Sequence, residues 1–179
     1  MTLMAHSSIQ LRPWSLNDIS DLVQLANNIN IAKNMTDAFP NPYTYMDAEV
    51  FVRRVSTEIP QKVFAIAYNN KVVGSIGIFP KEDIHRKNAE IGYWLGEPYH
   101  GKGIMTEAVR LIVKYGFETF DIERIYAAPF RNNKASQRVL QKSGFILEAV
   151  LRMSIIKYNE LQDETIYSIR KVDYIGEGW

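Results

Sequence analysis

The chain has 179 residues, 46% of them hydrophobic and 23% charged, with a formal net charge of +1 and no cysteine. This length and balance predict one folded domain with a full core and exclude a largely disordered chain. The lack of cysteine excludes disulfides, thiolate nucleophiles and cysteine-based zinc sites, and the near-neutral charge argues against a strong global attraction to nucleic acid or anionic membranes.

The N-terminal half of the sequence predicts short strands and amphipathic helices. Ser15 followed three residues later by Asp18 has the spacing of a capping box, which indicates that a helix begins there. Asn69 and Asn70 tolerate positive φ and therefore predict the turn of a β-hairpin. The predicted elements besides the helix at Ser15 are strands at residues 9–14, 63–68 and 72–79, a proline-containing loop at 39–43 and a helix at 46–55.

The C-terminal half predicts strands that alternate with helices. Gly144 follows a periodic segment as a C-cap glycine would. Mixed strands and helices in this order favour an α+β fold, with helices flanking a central, mainly antiparallel sheet in a single domain over residues 1–179. The predicted elements are strands at residues 89–95, 124–128, 145–151 and 164–169, a further strand between the last two, helices at 104–117 and 133–143, and a loose tail at 171–179.

The glycine-rich stretch between a strand and a helix carries the strongest chemical signal. Gly101 and Gly103 directly precede the helix that begins at Ile104. The first N–H groups of a helix have no partner within it, and the helix dipole makes that end partly positive. Glycines let the preceding backbone approach an anion closely. The stretch therefore predicts a phosphate or pyrophosphate site, although a helix that simply begins after a glycine-rich turn is the alternative.

Two common phosphate motifs fail at this stretch. The spacing from Gly96 to Gly101 and Lys102 opens like a Walker P-loop, but Gly103 follows where a Ser or Thr hydroxyl is needed for magnesium. A dinucleotide fingerprint needs a third glycine, and Thr106 stands in its place. A nucleotide-hydrolysing site and a Rossmann site are therefore rejected.

A second region decides among the remaining alternatives. Residues 124–145 contain a strand, then Asn133 with Ser136 three residues later, a helix and a terminal Gly144-Phe145. Together with the glycine-rich stretch and residues 89–95, this region resembles the GNAT superfamily of N-acetyltransferases, and in particular its RimJ/RimL-like branch. The resemblance covers roughly residues 9–170. It implies an acetyl-CoA-dependent enzyme that acetylates a primary amine, either a protein N-terminal α-amine or a small amine.

The resemblance also implies where acetyl-CoA binds. Two parallel strands, which end near Leu95 and Ala128, are expected to splay apart and hold the pantetheine arm, while the amides after them hold the pyrophosphate. Asn133 is expected to contact polar groups of the coenzyme, and Ser136 to lie near the thioester sulfur. The implied coenzyme-binding residues are Trp94, Leu95, Gly96, His100, Gly101, Lys102, Gly103, Ile104, Met105, Asn133 and Ser136.

Two catalytic residues follow from the same comparison. Many members carry a tyrosine seven residues after the asparagine as general acid, whereas this chain has Leu140 there. Ser136, one helical turn earlier on the same face, is the expected replacement. Glu90, on the strand beside the coenzyme gap, is the candidate general base. Because Leu140 cannot donate a proton, a non-catalytic module that binds CoA or acyl-CoA is the alternative function.

Other expectations concern partners and location. His6, His85 and His100 have no spacing that resembles a metal site, so no metal is expected. Residues 1–8 do not resemble a signal peptide, and there is no run of about 18 apolar residues. We therefore expect a cytoplasmic enzyme with no nucleic-acid or membrane partner, and a homodimer is one expected assembly.

Overall fold

The computed structural model describes residues 3–4 and 8–176, which form eight strands and six helices. The strands are β1 Leu3–Met4, β2 Ile9–Arg12, β3 Val63–Tyr68, β4 Lys71–Pro80, β5 Asn88–Leu95, β6 Arg124–Ala127, β7 Ile146–Lys157 and β8 Glu160–Arg170. The helices are α1 Ile19–Ala26, α2 Ile29–Ala32, α3 Tyr45–Val55, α4 Ile104–Thr119, α5 Lys134–Lys142 and α6 Lys171–Gly176. No helix within the described residues is long and apolar enough to cross a membrane.

The chain folds as two compact units, which we describe separately. The first comprises Met1–Gly77 with Tyr93–Leu111, and the second comprises Ile78–Gly92 with Ile112–Trp179. In the first unit β1, β2, β3 and β4 pair side by side, each antiparallel to the next. Asn69 and Asn70 have φ of 50° and 64°, which confirms the predicted hairpin turn between β3 and β4.

The core of the first unit joins α1 and α3 to the strands. It includes Leu22, Val52, Ala65 and Trp94, and each of these side chains is at least nine-tenths buried. The predicted helix over residues 46–55 is confirmed with one additional residue at its start, because Thr44 and Asp47 form a capping box there.

A buried ion pair fixes the start of α1 to β2. The two terminal guanidinium nitrogens of Arg12, Nη1 and Nη2, donate to the Asp18 carboxylate at 2.7 and 2.8 Å. The backbone N–H of Ser15 donates to the same carboxylate at 2.8 Å, which completes the predicted capping box. Asp18 is only 7% exposed, so these donors supply the partners that a buried charge requires.

In the second unit a parallel pair is followed by antiparallel strands. β5 pairs with β6 in parallel, β6 pairs with β8 antiparallel, and β8 pairs with β7 as a hairpin. The parallel ladder joins Asn88–Glu90 to Arg124–Tyr126 and, within the described residues, has no pair beyond Glu90 and Tyr126. The parallel pairing therefore involves only the first three residues of β5, and a mixed sheet is present, as predicted.

Two predictions in the C-terminal region are wrong. The further strand expected between residues 151 and 164 is absent from this fully described segment, because β7 and β8 are one long hairpin whose two-residue turn, Tyr158-Asn159, has positive φ at both positions. A register shift between Leu151 and Ile155 interrupts the alternation of side chains, which explains why the sequence pattern breaks there.

The expected loose tail at residues 171–179 is also corrected, since residues 171–176 form α6 and residues 177–179 lie outside the described part of the chain. Arg170 and Asp173 are joined by two hydrogen bonds at the start of this helix. The ring of Tyr174 packs at 5.3 Å from that of Phe117. These contacts attach the segment to the second unit.

We expect Asp18→Ala to lower the free energy of unfolding by about 3 kcal/mol, because it leaves the Arg12 charge without its carboxylate and removes a cap. Urea denaturation followed by circular dichroism measures this change. Asp21→Ala is the matched control on the exposed face of α1 and should cost less than about 0.5 kcal/mol. Equal losses for the two variants would show that the ion pair does not stabilise this unit.

Candidate active site

The glycine-rich loop of the first unit lies between β5 and α4. A single turn of 3₁₀ helix, Glu97–Tyr99, follows β5 and leads into the glycines. Gly101 and Gly103 have φ of +75° and +78°, a left-handed conformation that costs other residues about 1–2 kcal/mol each. A Cβ atom built at either glycine would meet no protein atom within 4 Å. These two positions therefore combine a backbone that requires glycine with open space beside it.

Five consecutive amides in this loop are without a protein partner. Within the described residues, the N–H groups of residues 101–105 donate to no acceptor, and the first backbone bond of the helix runs from Glu107 N–H to the Gly103 carbonyl at 3.2 Å. Unpaired N–H groups at the positive end of a helix attract an anion. The loop therefore has the unpaired backbone N–H groups on which the predicted phosphate site depends.

Polar side chains that the sequence analysis missed hold the loop in place. Asn28 Nδ2 donates to a Glu97 carboxylate oxygen at 2.7 Å, and Asn30 Nδ2 lies 3.4 Å from both of its oxygens. The hydrogen bonds from Asn28 and Asn30 lower the pKa of Glu97. Since these residues lie nearly 70 positions apart in the chain, no local pattern could have paired them.

The end of β5 is pinned by two further hydrogen bonds. The N–H of Gly96 donates to the Val73 carbonyl at 2.8 Å, and His100 Nε2 lies 2.8 Å from the Leu95 carbonyl oxygen. Two of the backbone groups that were expected to face a pantetheine arm thus have intramolecular partners. The exposed side chain of Lys102 places its ammonium 5.4 Å from the centre of the Tyr99 ring.

Several predicted coenzyme residues have buried side chains. Trp94, Leu95, Ile104 and Met105 are each less than 9% exposed, and the Trp94 ring packs edge-on against Phe39 at 6.0 Å. Their side chains belong to the core, so any contact that they make with a coenzyme is through the backbone.

The second unit holds Asn133 and Ser136 at the start of α5. Asn133 is the N-cap residue, and its Oδ1 accepts a hydrogen bond from the Ser136 N–H at 3.1 Å. This bond is the usual structural role of an asparagine at such a position, and it fixes the backbone that presents Ser136. Ser136 is half-buried, whereas Leu140, one turn later, is completely buried. The leucine is therefore a core residue.

Glu90 lies in a charged network in the second unit. Its Oε2 accepts hydrogen bonds from Lys81 Nζ at 2.6 Å and from the Tyr126 hydroxyl at 3.2 Å. Burial is the largest single influence on the pKa of Lys81 and lowers it, but the hydrogen bond and charge of Glu90, together with Tyr126, outweigh burial and raise that pKa. Burial and the nearby Glu90 charge raise the pKa of Tyr126. The candidate base is thus an ion-paired carboxylate, and the sequence analysis missed both of its partners.

Comparison with known protein families gives one match over most of the chain. Residues 8–146 match the family described as an acetyltransferase (GNAT) domain.

Within the described part of the chain, there is no group of three or more acidic or histidine residues that could hold a metal ion.

Curated relatives are named N-acetyltransferases. YjcK of Bacillus subtilis, named a probable N-acetyltransferase, is 36% identical over 107 residues, which are 60% of this chain and 59% of that protein. The ribosomal-protein-serine acetyltransferase of Escherichia coli is 29% identical over 60% of this chain and 59% of its own length. The spermidine N(1)-acetyltransferase of Escherichia coli is 23% identical over 97% and 91%. The chain thus spans about three fifths of the first relatives that it matches, 59% for YjcK.

Solved structures confirm the predicted fold. An acetyltransferase of the GNAT family from Bacillus anthracis has a TM-score of 0.82 at 26% identity, covering 95% of this chain and 98% of that one. The microcin C7 self-immunity acetyltransferase MccE, solved with acetyl-CoA and AMP, has a TM-score of 0.78 at 31% identity, covering 91% and 92%. RimL, a ribosomal L7/L12 acetyltransferase solved with coenzyme A, shares the fold with a TM-score of 0.84 at 21% identity, covering 97% and 99%.

We expect Gly74→Ala to lower the free energy of unfolding by about 2 kcal/mol or more, because overpacking against rigid backbone is costly. The added Cβ would clash with the Trp94 carbonyl oxygen and lie 3.0 Å from Leu95 Cα. Urea denaturation measures the loss. Gly92→Ala is the matched control, because its Cβ would meet only a Phe79 ring atom at 3.8 Å. A loss no larger than that of the control would contradict the close approach of β4 to the end of β5.

Proposed function

Because the chain belongs to the acetyltransferase (GNAT) domain family, as its sequence blocks predicted, we propose that it transfers the acetyl group of acetyl-CoA to a primary amine. The observation that carries this proposal is the run of five unpaired N–H groups from Gly101 to Met105, with two positive-φ glycines and open space beside them. A doubly charged pyrophosphate is the kind of ligand that such a run of amides fits.

We assign the pyrophosphate to the backbone of residues 100–105. Hydrogen bonds to a charged group contribute about 1.5–3 kcal/mol each, so three or four of these amides are enough to anchor the coenzyme. Lys102 is exposed and adds a positive charge beside the phosphates. The similarity to an acetyltransferase solved with acetyl-CoA supports the choice of this coenzyme among pyrophosphate-containing ligands.

The reaction in this proposal is a direct transfer. The neutral amine nitrogen bonds to the thioester carbonyl carbon, the carbon–sulfur bond breaks, and the sulfur leaves as a thiolate that must gain a proton. No acyl-cysteine intermediate is available, because the chain has no cysteine. Ser136 donates the hydrogen bond or proton to the thiolate, and a carboxylate of the second unit, for which the sequence predicts Glu90, receives the proton of the amine.

A primary amine with a modest pKa is the acceptor that this chemistry favours. A lysine side chain is neutral about 0.04% of the time at pH 7, whereas an N-terminal α-amine is neutral about 10% of the time. Two relatives are named for a ribosomal-protein serine and for spermidine, so a protein N-terminus and a polyamine are the two acceptor classes to test. The net charge of +1 gives no general attraction to a strongly basic acceptor.

The remaining expectations stay predictions. These are a single domain, a cytoplasmic location, a homodimeric assembly and the absence of nucleic-acid, membrane and metal partners. None of them is needed for the proposed reaction.

Release of free thiol from acetyl-CoA tests the proposed function. The assay uses spermidine and a peptide with an N-terminal serine as acceptors, and calorimetry measures CoA binding in parallel. Turnover with either amine supports the enzyme. The buried Leu140 in place of a proton-donating tyrosine favours the second candidate, a non-catalytic CoA-binding module. Tight CoA binding without turnover on a broad amine panel would favour that module and overturn the proposal.

We expect Gly103→Val to weaken CoA binding by at least about 100-fold, because losing two charged hydrogen bonds costs about 3 kcal/mol. Calorimetric titration of CoA measures the change. Asn70→Val is the matched control for backbone strain, because Asn70 has φ of 64° in an exposed hairpin turn. The control should lose stability while keeping its CoA affinity. An unchanged affinity in Gly103→Val would show that the loop does not hold the pyrophosphate.

We expect Ser136→Ala to lower kcat by about 10–100-fold while the dissociation constant of CoA changes by less than about twofold. The N-cap bond to Asn133 survives in this variant, because it uses the backbone N–H of residue 136. Steady-state kinetics and calorimetry measure the two quantities. Ser154→Ala, on the exposed hairpin, is the control. Wild-type kcat in Ser136→Ala would remove its proposed role.

A further inference from the structure

Four ionisable side chains of the second unit lie close together near the end of the parallel ladder. Lys81 and Tyr126 both donate to Glu90, and the Lys81 ammonium also lies 5.6 Å from the centre of the Tyr126 ring. Glu164, on β8, is near enough to Glu90 for their charges to interact. The cluster therefore contains two carboxylates with different surroundings.

The two carboxylates differ in what surrounds them. One oxygen of Glu90 already accepts both a lysine and a phenol hydrogen bond. Glu164 is half-buried, and within residues 8–176 burial and the Glu90 charge, with no hydrogen bond, act on its pKa. Burial, and then repulsion by Glu90, raise the pKa of Glu164. A partly desolvated carboxylate without a donor takes up a proton more readily than one that is paired.

The charged group that acts on Glu164 is Glu90, whose own partners come from two further segments. Glu90 lies on β5, Tyr126 on β6, and Lys81 directly after β4. On β8 and its neighbours, Arg131 and Arg152 act on the adjacent Asp163, and Arg131 donates to it at 2.7 Å. Glu164 thus has a negative neighbour in Glu90, whose own charge is balanced by Lys81.

The backbone around Glu164 holds the segment that leads to Ser136. Phe130 forms a β-bridge with Glu164. On one side of it Thr165 donates to the Pro129 carbonyl through both its N–H and its hydroxyl, at 3.0 and 2.8 Å. On the other side Arg131 N–H donates to the Asp163 carbonyl at 2.9 Å. The connection from β6 to α5 is therefore fastened to β8 on both sides of Glu164.

This attachment places Glu164 beyond the last parallel pair, in the direction in which β5 and β6 run. The ladder ends at Glu90 and Tyr126, and the chain after β6 follows β8 to the isolated bridge at Phe130. Three residues after Phe130 the chain reaches Asn133, the N-cap of the helix that carries Ser136. Glu164 therefore lies opposite Phe130, in the connection that leads to the helix carrying Ser136.

We propose that Glu164 is the general base that takes the proton from the acceptor ammonium, directly or through one water molecule, while the Glu90 carboxylate, held in place by Lys81 and Tyr126, lies beside it. This inference rests on the proposed acetyl transfer. One N–H bond of the ammonium breaks, its proton passes to a Glu164 oxygen, and the freed electron pair of nitrogen forms the bond to the acetyl carbon. The nitrogen then loses a second proton to solvent as the carbon–sulfur bond breaks, so that the product is the neutral amide. The thiolate leaves with the electron pair of the carbon–sulfur bond and gains its own proton separately.

Glu164→Gln tests the proposal, with Glu160→Gln at the exposed start of β8 as the matched control. We expect kcat/KM at pH 7 to fall about 100-fold in Glu164→Gln, with the CoA dissociation constant within about twofold of wild type and the control unchanged. Because the base acts when deprotonated, kcat/KM of the wild type rises with pH through the pKa of Glu164. That limb disappears in Glu164→Gln, whereas the limb set by the amine itself remains in every variant.

A second variant keeps the test independent of any folding defect in the first. Glu90→Gln removes the neighbouring negative charge and should lower the pKa of Glu164. The rising limb of the kcat/KM profile, measured between about pH 5 and pH 9, should therefore move to lower pH. An unmoved limb, or a Glu164→Gln variant within about threefold of wild type, overturns the assignment of the base. If the wild type itself releases no thiol with spermidine or the serine peptide, the proposed acetyl transfer fails, and this inference fails with it.

Discussion

The proposed chemistry depends on a helix start whose amides have no partner among residues 3–4 and 8–176. Leaving several N–H groups unpaired is costly unless water or a ligand satisfies them, and here the glycines before α4 leave open space beside them. The surrounding contacts keep that geometry fixed, since Gly96 is bonded to Val73 and Glu97 is held by Asn28 and Asn30. A preorganised site loses little free energy to ordering when an anion binds.

In the second unit the charged groups are side chains rather than backbone amides. Three of its carboxylates have different partners. Glu148 is ion-paired to Arg124 and bonded to Ser168, Glu90 is ion-paired to Lys81, and Glu164 lies near the charge of Glu90. The paired Glu148 has a lowered pKa, chiefly through the hydrogen bond from Arg124, whereas Glu164 has a raised one. Groups of one chemical type thus acquire different proton affinities from burial and neighbours alone, which is how acid–base chemistry near neutral pH is arranged.

Much of the fold was predictable because its signals are local. The capping box at Ser15, the Asn69-Asn70 turn and the helix that begins at Ile104 after the glycines each depend on a few consecutive residues, and each is confirmed. The strand prediction in the C-terminal region was wrong because the sequence signal there is not local. The register shift near Leu151 breaks the alternation of β7, and six large hydrophobic side chains from Ile146 to Ile156 are exposed, so the pattern there does not distinguish one long strand from two short ones.

The sequence by itself determined the family, the fold class and the backbone of the glycine-rich loop, because glycine positions and helix starts depend on consecutive residues. Only the tertiary structure decided which side chains surround the chemistry. The partners of Glu90 come from separate segments, Lys81 just after β4 and Tyr126 on β6, and Glu164 on β8 is 74 positions away in the chain. Strand pairing sets such distances, and a single sequence without its pairing register does not contain them.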